Sequence, residues 1–154
     1  MSSDGVKESL SEFVTVTICD HLFGLPISRV QDVFVPDRLT RVPLAPSDVA
    51  GILNLRGRIV TALEMRMRLD LGARQPGDPV MAIGIEFRGE SYGLLVDAVG
   101  EVMQLADSTC EPNPANLDPR LARVAAGVYR LEGQLMVVLD VDRLLDIKNG
   151  AAAA

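Results

Sequence analysis

Two stretches of this 154-residue sequence carry the same pattern of turn glycines and alternating apolar residues. Phe23-Gly24-Leu25 matches Tyr92-Gly93-Leu94 at an offset of 69 residues, and Gly51 matches Gly127 at an offset of 76. The extra residues of the second stretch must fall after Val102, where three prolines indicate a loop that tolerates insertion. An internal repeat of this kind predicts that the chain folds as two copies of one small unit.

Within each copy the apolar residues recur with a period of two, which is typical of half-buried β-strands. Residues 13–18 and 81–87 alternate in this way, and glycine-containing turns at 56–57 and 88–90 predict hairpins. No periodic segment is long enough for a substantial amphipathic helix. The predicted fold is therefore all-β: two tandem five-stranded β-barrels related by the duplication, with short helices in the connections and near the C-terminus.

The segment 72–79 has two glycines and two prolines, which predicts a plain linker between the copies. Barrels of this size have modest cores, so the two should pack together and leave a groove at their seam. Whether the copies exchange strands at their ends stays open. The predicted ranges are 13–147 for the whole domain, 13–71 and 80–147 for the copies, and 1–12 and 148–154 for flexible termini.

Composition excludes several classes of function. The net charge of −6 makes nucleic acid an unfavourable partner, because an acidic protein repels phosphate backbones. The apolar runs fall far short of the ~20 residues that a membrane-spanning helix needs, and the polar start is no signal peptide. Cys19 and Cys110 belong to no metal-binding motif, so we expect reduced thiols and no cofactor.

The segment 49–60, VAGILNLRGRIV, followed by residues 64–66, resembles the core motif of the CheW family. The flanking stretches 23–33 and 93–102 are similar to that family's first hairpin and to its counterpart in the second half. The resemblance implies SH3-like barrels and no catalysis. It also implies an adaptor in the bacterial cytoplasm, recruited to membrane receptor arrays without inserting into the membrane. Its partners would be the cytoplasmic tip of methyl-accepting chemoreceptors and the regulatory domain of the histidine kinase CheA.

The chain departs from the family pattern at a few positions. Ala62 and Glu64 stand where many members have proline and aspartate. The loop 113–123 lacks the aromatic residue that many members use for a contact between neighbouring complexes. Leu117 is the only candidate substitute that we identify, so this array contact stays open.

Arg56 is the first candidate for partner binding, because the hairpin pattern places it at the tip of a tight turn. Its neighbours in the hairpin, Asn54, Gly57 and Arg58, are candidates with it. Comparison of the copies supports this assignment. Asn54, Arg56 and Arg58 correspond to Arg130, Glu132 and Gln134, so the first tip is cationic and the second is not. A guanidinium can bind a carboxylate through two hydrogen bonds, which favours an acidic partner surface. The alternative is a solubilising turn residue.

Asp32 is the second candidate, and we hypothesise that it lies near Arg56 and orients it. The apolar neighbours of these charges are Val30, Val33, Leu53 and Leu55; they could line an exposed groove or simply fill the core. By contrast, four acids share no metal-ligand spacing and are interpreted as surface residues: Asp97, Glu101, Asp107 and Glu111.

Two other functions remain as alternatives. An enzyme or small-ligand barrel would need a nucleophile, metal cluster or phosphate loop, and the sequence offers none; His21 stands alone at a predicted turn. An SH3-like barrel that binds nucleic acid or proline-rich peptides would need aromatic platforms. The chain has two Tyr, four Phe and no Trp, which disfavours that reading.

Overall fold

The computed structural model describes residues 9–146, and these form ten strands with a few short helices, which confirms the predicted all-β class. The helical segments are α1 (Met65–Arg68), α2 (Pro119–Ala122), and residues 141–146, here called the C-terminal helix. Predictions for residues 1–8 and 147–154 lie outside the described residues. The strands are β1 (Leu10–Ile18), β2 (His21–Pro26), β3 (Asp32–Phe34), β4 (Val49–Leu55), β5 (Arg58–Glu64), β6 (Met81–Phe87), β7 (Glu90–Val96), β8 (Ala98–Ala106), β9 (Ala125–Leu131) and β10 (Gln134–Leu139).

The strands form two five-stranded sheets that exchange hairpins between the copies. Sheet A has the order β8-β1-β2-β10-β9, and sheet B has the order β3-β6-β7-β5-β4. Each strand of sheet A occupies the same place as its repeat-related strand in sheet B. Both sheets also share one parallel pairing at the same place, β2 with β10 and β5 with β7. The duplication is therefore preserved in the topology, but each sheet takes two strands from one copy and three from the other.

In each sheet, the chain that follows one edge strand reaches the opposite edge strand. The chain that leaves β3 pairs at Thr40 with Ile52 of β4, the other edge of sheet B. The chain that leaves β8 pairs in the same way at Glu111 with Val128 of β9. These two bridges are consistent with the predicted small barrels.

The two sheets share one apolar core. Its fully buried members come from both sheets, among them Phe23 and Leu139 of sheet A with Leu63 and Leu94 of sheet B. Burying a side chain of this size stabilises a fold by roughly 1.5–3 kcal/mol. The interior of the predicted seam is therefore packed, and Val30 lies at its border, half-buried against the shared core.

Local structure differs from prediction at two positions. The β1–β2 turn was predicted at Asp20-His21, but Cys19 and Asp20 are the turn residues, with φ of 50° and 67°. Asp tolerates this left-handed region because its short side chain can bond locally. The strand predicted over residues 30–35 shortens to β3. Residues 27–29 form a turn of 3₁₀-helix, and the Val30 N–H donates a hydrogen bond to the carbonyl of Ile27 at 3.1 Å.

The segment 72–79 is not a plain linker. Arg74 donates two hydrogen bonds to the Glu64 carboxylate at 2.8 and 2.9 Å, and a third to the carbonyl of Pro79 at 2.6 Å. Asp78 accepts a hydrogen bond from the backbone N–H of Gln75 at 2.9 Å. The charged residues of this segment fix it against β5, which its glycine and proline content alone did not indicate.

Candidate partner-binding surface

The β4–β5 hairpin presents Arg56 to solvent on a rigid turn. Arg56 and Gly57 have φ of 52° and 84°, the signature of a type I′ turn, whose twist matches that of the flanking strands. The Asn54 side-chain oxygen accepts a hydrogen bond from the Gly57 N–H at 2.8 Å. Asn54 therefore holds the turn, and the Arg56 side chain, 82% exposed, projects from it.

Asp32 lies beside this tip, as hypothesised. Its Oδ2 atom is 3.9 Å from Nη1 of Arg56, and the pair joins β3 to the hairpin at the opposite edge of sheet B. Asp32 is 22% exposed whereas Arg56 is almost fully solvated. An ion pair of this length at the surface contributes little to stability. The guanidinium consequently keeps most of its hydrogen-bonding capacity for a partner.

Gly84 makes room for the Asp32 carboxylate. The two residues are paired across β3 and β6. A Cβ built on Gly84 would lie 1.9 Å from Oδ1 of Asp32, far too close for two heavy atoms that are not bonded to each other. The absence of a side chain at position 84 therefore decides where the Asp32 carboxylate sits.

We expect Gly84→Ala to displace the Asp32 carboxylate while changing the free energy of unfolding by less than about 1 kcal/mol. The obstructed atom is the end of a flexible side chain, so the carboxylate moves rather than the backbone. Carbon-13 NMR of the Asp32 carboxyl group measures the displacement as a change in chemical shift. The control is Gly93→Ala, whose Cβ would make ordinary contacts of 3.4 Å. An unchanged Asp32 signal in Gly84→Ala would contradict the prediction.

The apolar candidates separate into exposed and packed residues. Val33 is 42% exposed beside Asp32, whereas Val30 packs against the shared core. Leu53 is buried in a smaller core under sheet B, and Leu55 packs against it. Arg58 is exposed and forms no ion pair within residues 9–146. Ile59 is 61% exposed beside it, a position that the sequence did not single out. The period-two alternation of a strand predicts that one of these two neighbouring side chains is buried. Both Arg58 and Ile59 are exposed, because they lie at the hairpin tip, beyond the packed part of the sheet.

The β9–β10 hairpin of sheet A, which is equivalent to the β4–β5 hairpin, has an acidic residue at its tip. Glu132 occupies the place of Arg56, and Arg130 is paired with Glu111 at 2.9 Å. The half built around sheet A, residues 9–26 and 97–146, has four Arg against eleven Asp and Glu. The half built around sheet B, residues 27–96, has nine Arg against eight Asp and Glu. The two halves therefore suit partners of different charge.

Neither His21 nor the acidic residues belong to a metal-binding cluster in the part of the chain that the structure describes. His21 is exposed at the β1–β2 hairpin, and its nearest ring is that of Phe23, with centroids 6.2 Å apart. Within residues 9–146, no cluster of three or more His, Cys, Asp or Glu side chains could hold a metal ion. None of the helices in that range is long and apolar enough to cross a membrane.

Known proteins resemble this chain over nearly its full length. It is 27% identical over 142 residues to "Chemotaxis protein CheW" of Rhizobium meliloti (strain 1021), covering 92% of each chain. It is 25% identical over 140 residues to the protein of that name from Klebsiella aerogenes, covering 91% of this chain and 84% of the relative. The crystal structure of the scaffolding protein TtCheW from Thermoanaerobacter tengcongensis superimposes with a TM-score of 0.77 at 28% identity, over 88% of this chain and 92% of that one. The family model of the CheW-like domain matches residues 12–149, and the chain therefore belongs to the CheW-like domain family.

Proposed function

We propose that this protein is a non-catalytic chemotaxis adaptor that couples methyl-accepting chemoreceptors to the regulatory domain of the histidine kinase CheA. The observation that carries the proposal is the rigid, solvated Arg56 tip with Asp32 beside it. Family membership supports the same reading. The protein works in the cytoplasm and is recruited to receptor arrays by its partners.

Arg56, Arg58 and Val33 form the receptor-binding surface of the proposed adaptor. The two guanidinium groups pair with carboxylates of the receptor tip, and Val33 covers apolar surface beside them. Buried apolar contact surrounded by charged groups is the usual anatomy of a protein interface. Asp32 sets the direction of Arg56, so its role is positioning and its effect on affinity depends on the presence of Arg56.

Coupling needs no covalent step. An adaptor that binds receptor and kinase at the same time changes kinase activity if its affinity differs between two arrangements of the complex. Individual contacts can be weak, because linkage of many adaptors in an array raises the effective concentration of each partner. The function therefore resides in surfaces, and substitutions there should alter binding without altering the fold.

We expect Arg56→Glu to weaken binding of a receptor cytoplasmic fragment by at least about tenfold, which corresponds to about 1.4 kcal/mol. The substitution replaces an attraction for acidic groups with a repulsion. Isothermal titration of the purified protein with the receptor fragment, and separately with the kinase regulatory domain, measures both affinities.

The matched control is Arg123→Glu, which makes the same charge change at an exposed arginine in the half built around sheet A. Equal losses in both variants would mean that overall charge, rather than the Arg56 tip, drives binding. Asp32→Ala should weaken receptor binding in the presence of Arg56 and have no further effect in Arg56→Glu. Additive losses would contradict the positioning role of Asp32.

A further inference from the structure

The end of sheet B that lies away from the Arg56 tip carries a groove of about 480 Å³. Ala50 near the start of β4 and Leu95 near the end of β7 line it, together with Leu39 and Val80. These four side chains belong to the smaller core under sheet B, so the lining is continuous with packed apolar surface. Small-molecule sites usually have about 300–1,000 Å³, an apolar lining and a few polar groups, and the mouths of β-barrels are one of their common places. The groove has the size, the lining and the position of such a site.

The wall of the groove that the segment 72–79 forms is fixed before any ligand arrives. Ala73, Arg74 and Gln75 contribute to this wall. The Arg74 side chain is only 13% exposed and holds the segment through its two hydrogen bonds to the Glu64 carboxylate. A ligand would therefore not have to order this part of the chain, a step that otherwise costs affinity.

Arg41 supplies the free charge at the groove. Glu64 is the only acid among the lining residues, and Arg74 occupies both of its carboxylate oxygens. Arg41 is exposed, and its side chain forms no ion pair or hydrogen bond within residues 9–146. The hydroxyl of Ser47, which also lines the groove, has no partner in the same range. An apolar groove with one unpaired cation and one free hydroxyl donor is complementary to a carboxylate.

The duplication provides an internal comparison for this groove. At the offset of 69 residues, Val80 and Leu95 correspond to Ser11 and Pro26, which line a groove of about 340 Å³ at sheet A. The Ser11 hydroxyl donates a hydrogen bond to Asp107 at 2.5 Å. That groove has Glu12 in its lining and no arginine. The cationic and more apolar character of the groove at sheet B is therefore not imposed by the shared fold.

We propose that the groove at sheet B binds a small carboxylic acid with an apolar body, of the medium-chain fatty acid type. The carboxylate lies on Arg41 and Ser47, and the apolar body covers Leu39, Ala50 and Leu95. Burial of the body supplies most of the affinity, and the guanidinium selects the anion. This site goes beyond the adaptor function and does not depend on it. The Arg56 tip lies at the other end of β4, about 20 Å away at about 3.3 Å for each residue.

The test is a titration of the full chain with octanoate, followed by the amide chemical shifts in ¹H–¹⁵N NMR. We expect saturable shifts at Leu39, Ala50 and Leu95, with a dissociation constant of about 1 mM for a ligand of about ten non-hydrogen atoms. Octylammonium, which has the same chain and the opposite charge, should bind at least about tenfold more weakly. Arg41→Gln should weaken octanoate binding at least about tenfold. Ala73→Trp, which fills the groove from its exposed wall, should abolish the saturable shifts.

The matched control is Arg38→Gln, the same change at an exposed arginine of the same loop that does not line the groove. Arg41 and Ala73 are also exposed, so all three variants should unfold within about 2 °C of the wild type.

Every other outcome overturns the inference at a different step. Shifts that do not saturate in the wild type overturn the site itself, and equal affinity for octanoate and octylammonium overturns the choice of a carboxylate. Equal weakening in Arg38→Gln and Arg41→Gln would show that the charge of the loop, rather than contact with Arg41, attracts the anion. Octanoate binding that persists in Ala73→Trp would place the ligand outside the groove. None of these measurements involves receptor or kinase, so failure here leaves the proposed adaptor function untouched.

Discussion

Replacement of Arg68 by Met is expected to lower the free energy of unfolding by about 3–5 kcal/mol, the cost of removing one member of a buried ion pair. The Arg68 side chain is only 2% exposed. Arg68 is the last residue of α1, and its guanidinium donates a hydrogen bond to the Asp48 carboxylate. It also donates hydrogen bonds to the carbonyls of Leu144 and Leu145 at 2.8–3.1 Å. Methionine fills a similar volume but satisfies none of these acceptors.

The size of this effect follows from what remains after the substitution. Burial lowers the pKa of the Arg68 guanidinium, and the charge and hydrogen bond of Asp48 oppose that change. Without Arg68 the Asp48 carboxylate has lost its counter-charge, and the carbonyls at the end of the C-terminal helix have lost their donors. Unsatisfied helix carbonyls and an uncompensated charge each cost free energy when they are kept from water.

Urea unfolding of the wild type, Arg68→Met and Arg68→Lys measures the effect. Lysine keeps the charge but lacks the planar fork that reaches three acceptors, so we expect it to recover only part of the loss. In Asp48→Leu with Arg68→Met, the combined destabilisation should be smaller than the sum of the single effects, because no charge is left unpaired. A loss below about 1 kcal/mol for Arg68→Met, a size typical of surface substitutions, would show that water reaches these groups.

Local patterns in the sequence predicted the strands well, and they could not predict which strands pair. The β4–β5 hairpin was predicted nearly to its ends, because alternation and a turn glycine act over neighbouring residues. The parallel pairing of β2 with β10 joins segments more than 100 residues apart, for example Leu22 and Met136, and nothing local specifies it. The duplication contained this information only in part. It predicted two equivalent units. Two units are equivalent whether each keeps its own first hairpin or exchanges it with the other, so the duplication does not distinguish these arrangements.

In the candidate site, too, local features were predicted correctly and long-range packing was not. Arg56 lies at an exposed tip beside Asp32, as predicted, because turn geometry is a local property. Val30 and Leu55 were candidates for an exposed groove, but both are half-buried, because their packing partners come from distant segments. The binding roles of the eight candidate residues stay predictions: Arg56, Asp32, Val30, Val33, Asn54, Leu55, Gly57 and Arg58. Asp97 was interpreted as a surface acid and is instead 13% exposed, because its partners come from three separate segments of the chain.

Asp97 occupies the single position between β7 of sheet B and β8 of sheet A. Its carboxylate accepts hydrogen bonds from Nε and Nη2 of Arg66 at 3.0 and 2.8 Å. It also accepts one from the backbone N–H of Cys19 at 2.9 Å, and it is 3.0 Å from Nη1 of Arg74. One carboxylate thus joins α1, the segment 72–79 and the β1–β2 turn at the point where the chain passes between the sheets.

Protonation should weaken this junction. Burial alone would raise the pKa of Asp97, but the hydrogen bonds from Arg66 and Cys19 and the charges of Arg66 and Arg74 outweigh burial and lower it. The hydrogen bond to Asp97 correspondingly raises the pKa of Arg66. A carboxyl group with a lowered pKa in the folded state stabilises the fold above its unfolded pKa of 3.8, and this contribution disappears as the pH falls through the lower folded value.

We therefore expect Asp97→Asn to lower the free energy of unfolding by about 2–3 kcal/mol at pH 7, because hydrogen bonds to a charged acceptor each contribute about 1.5–3 kcal/mol and some are retained by the amide. The difference between wild type and variant should be constant from pH 7 to pH 5 and shrink below pH 4. Carboxyl groups that both proteins share contribute equally to the two curves and cancel in the difference. One of them is Asp118, whose pKa is lowered to about 2 by hydrogen bonds from Arg120. Urea unfolding at pH 7, 5, 4 and 3 measures the curve, with Glu101→Gln, an exposed acid of β8, as the control. If the difference in the free energy of unfolding between wild type and variant were as large at pH 3 as at pH 7, Asp97 would hold the sheets together through its shape rather than its charge.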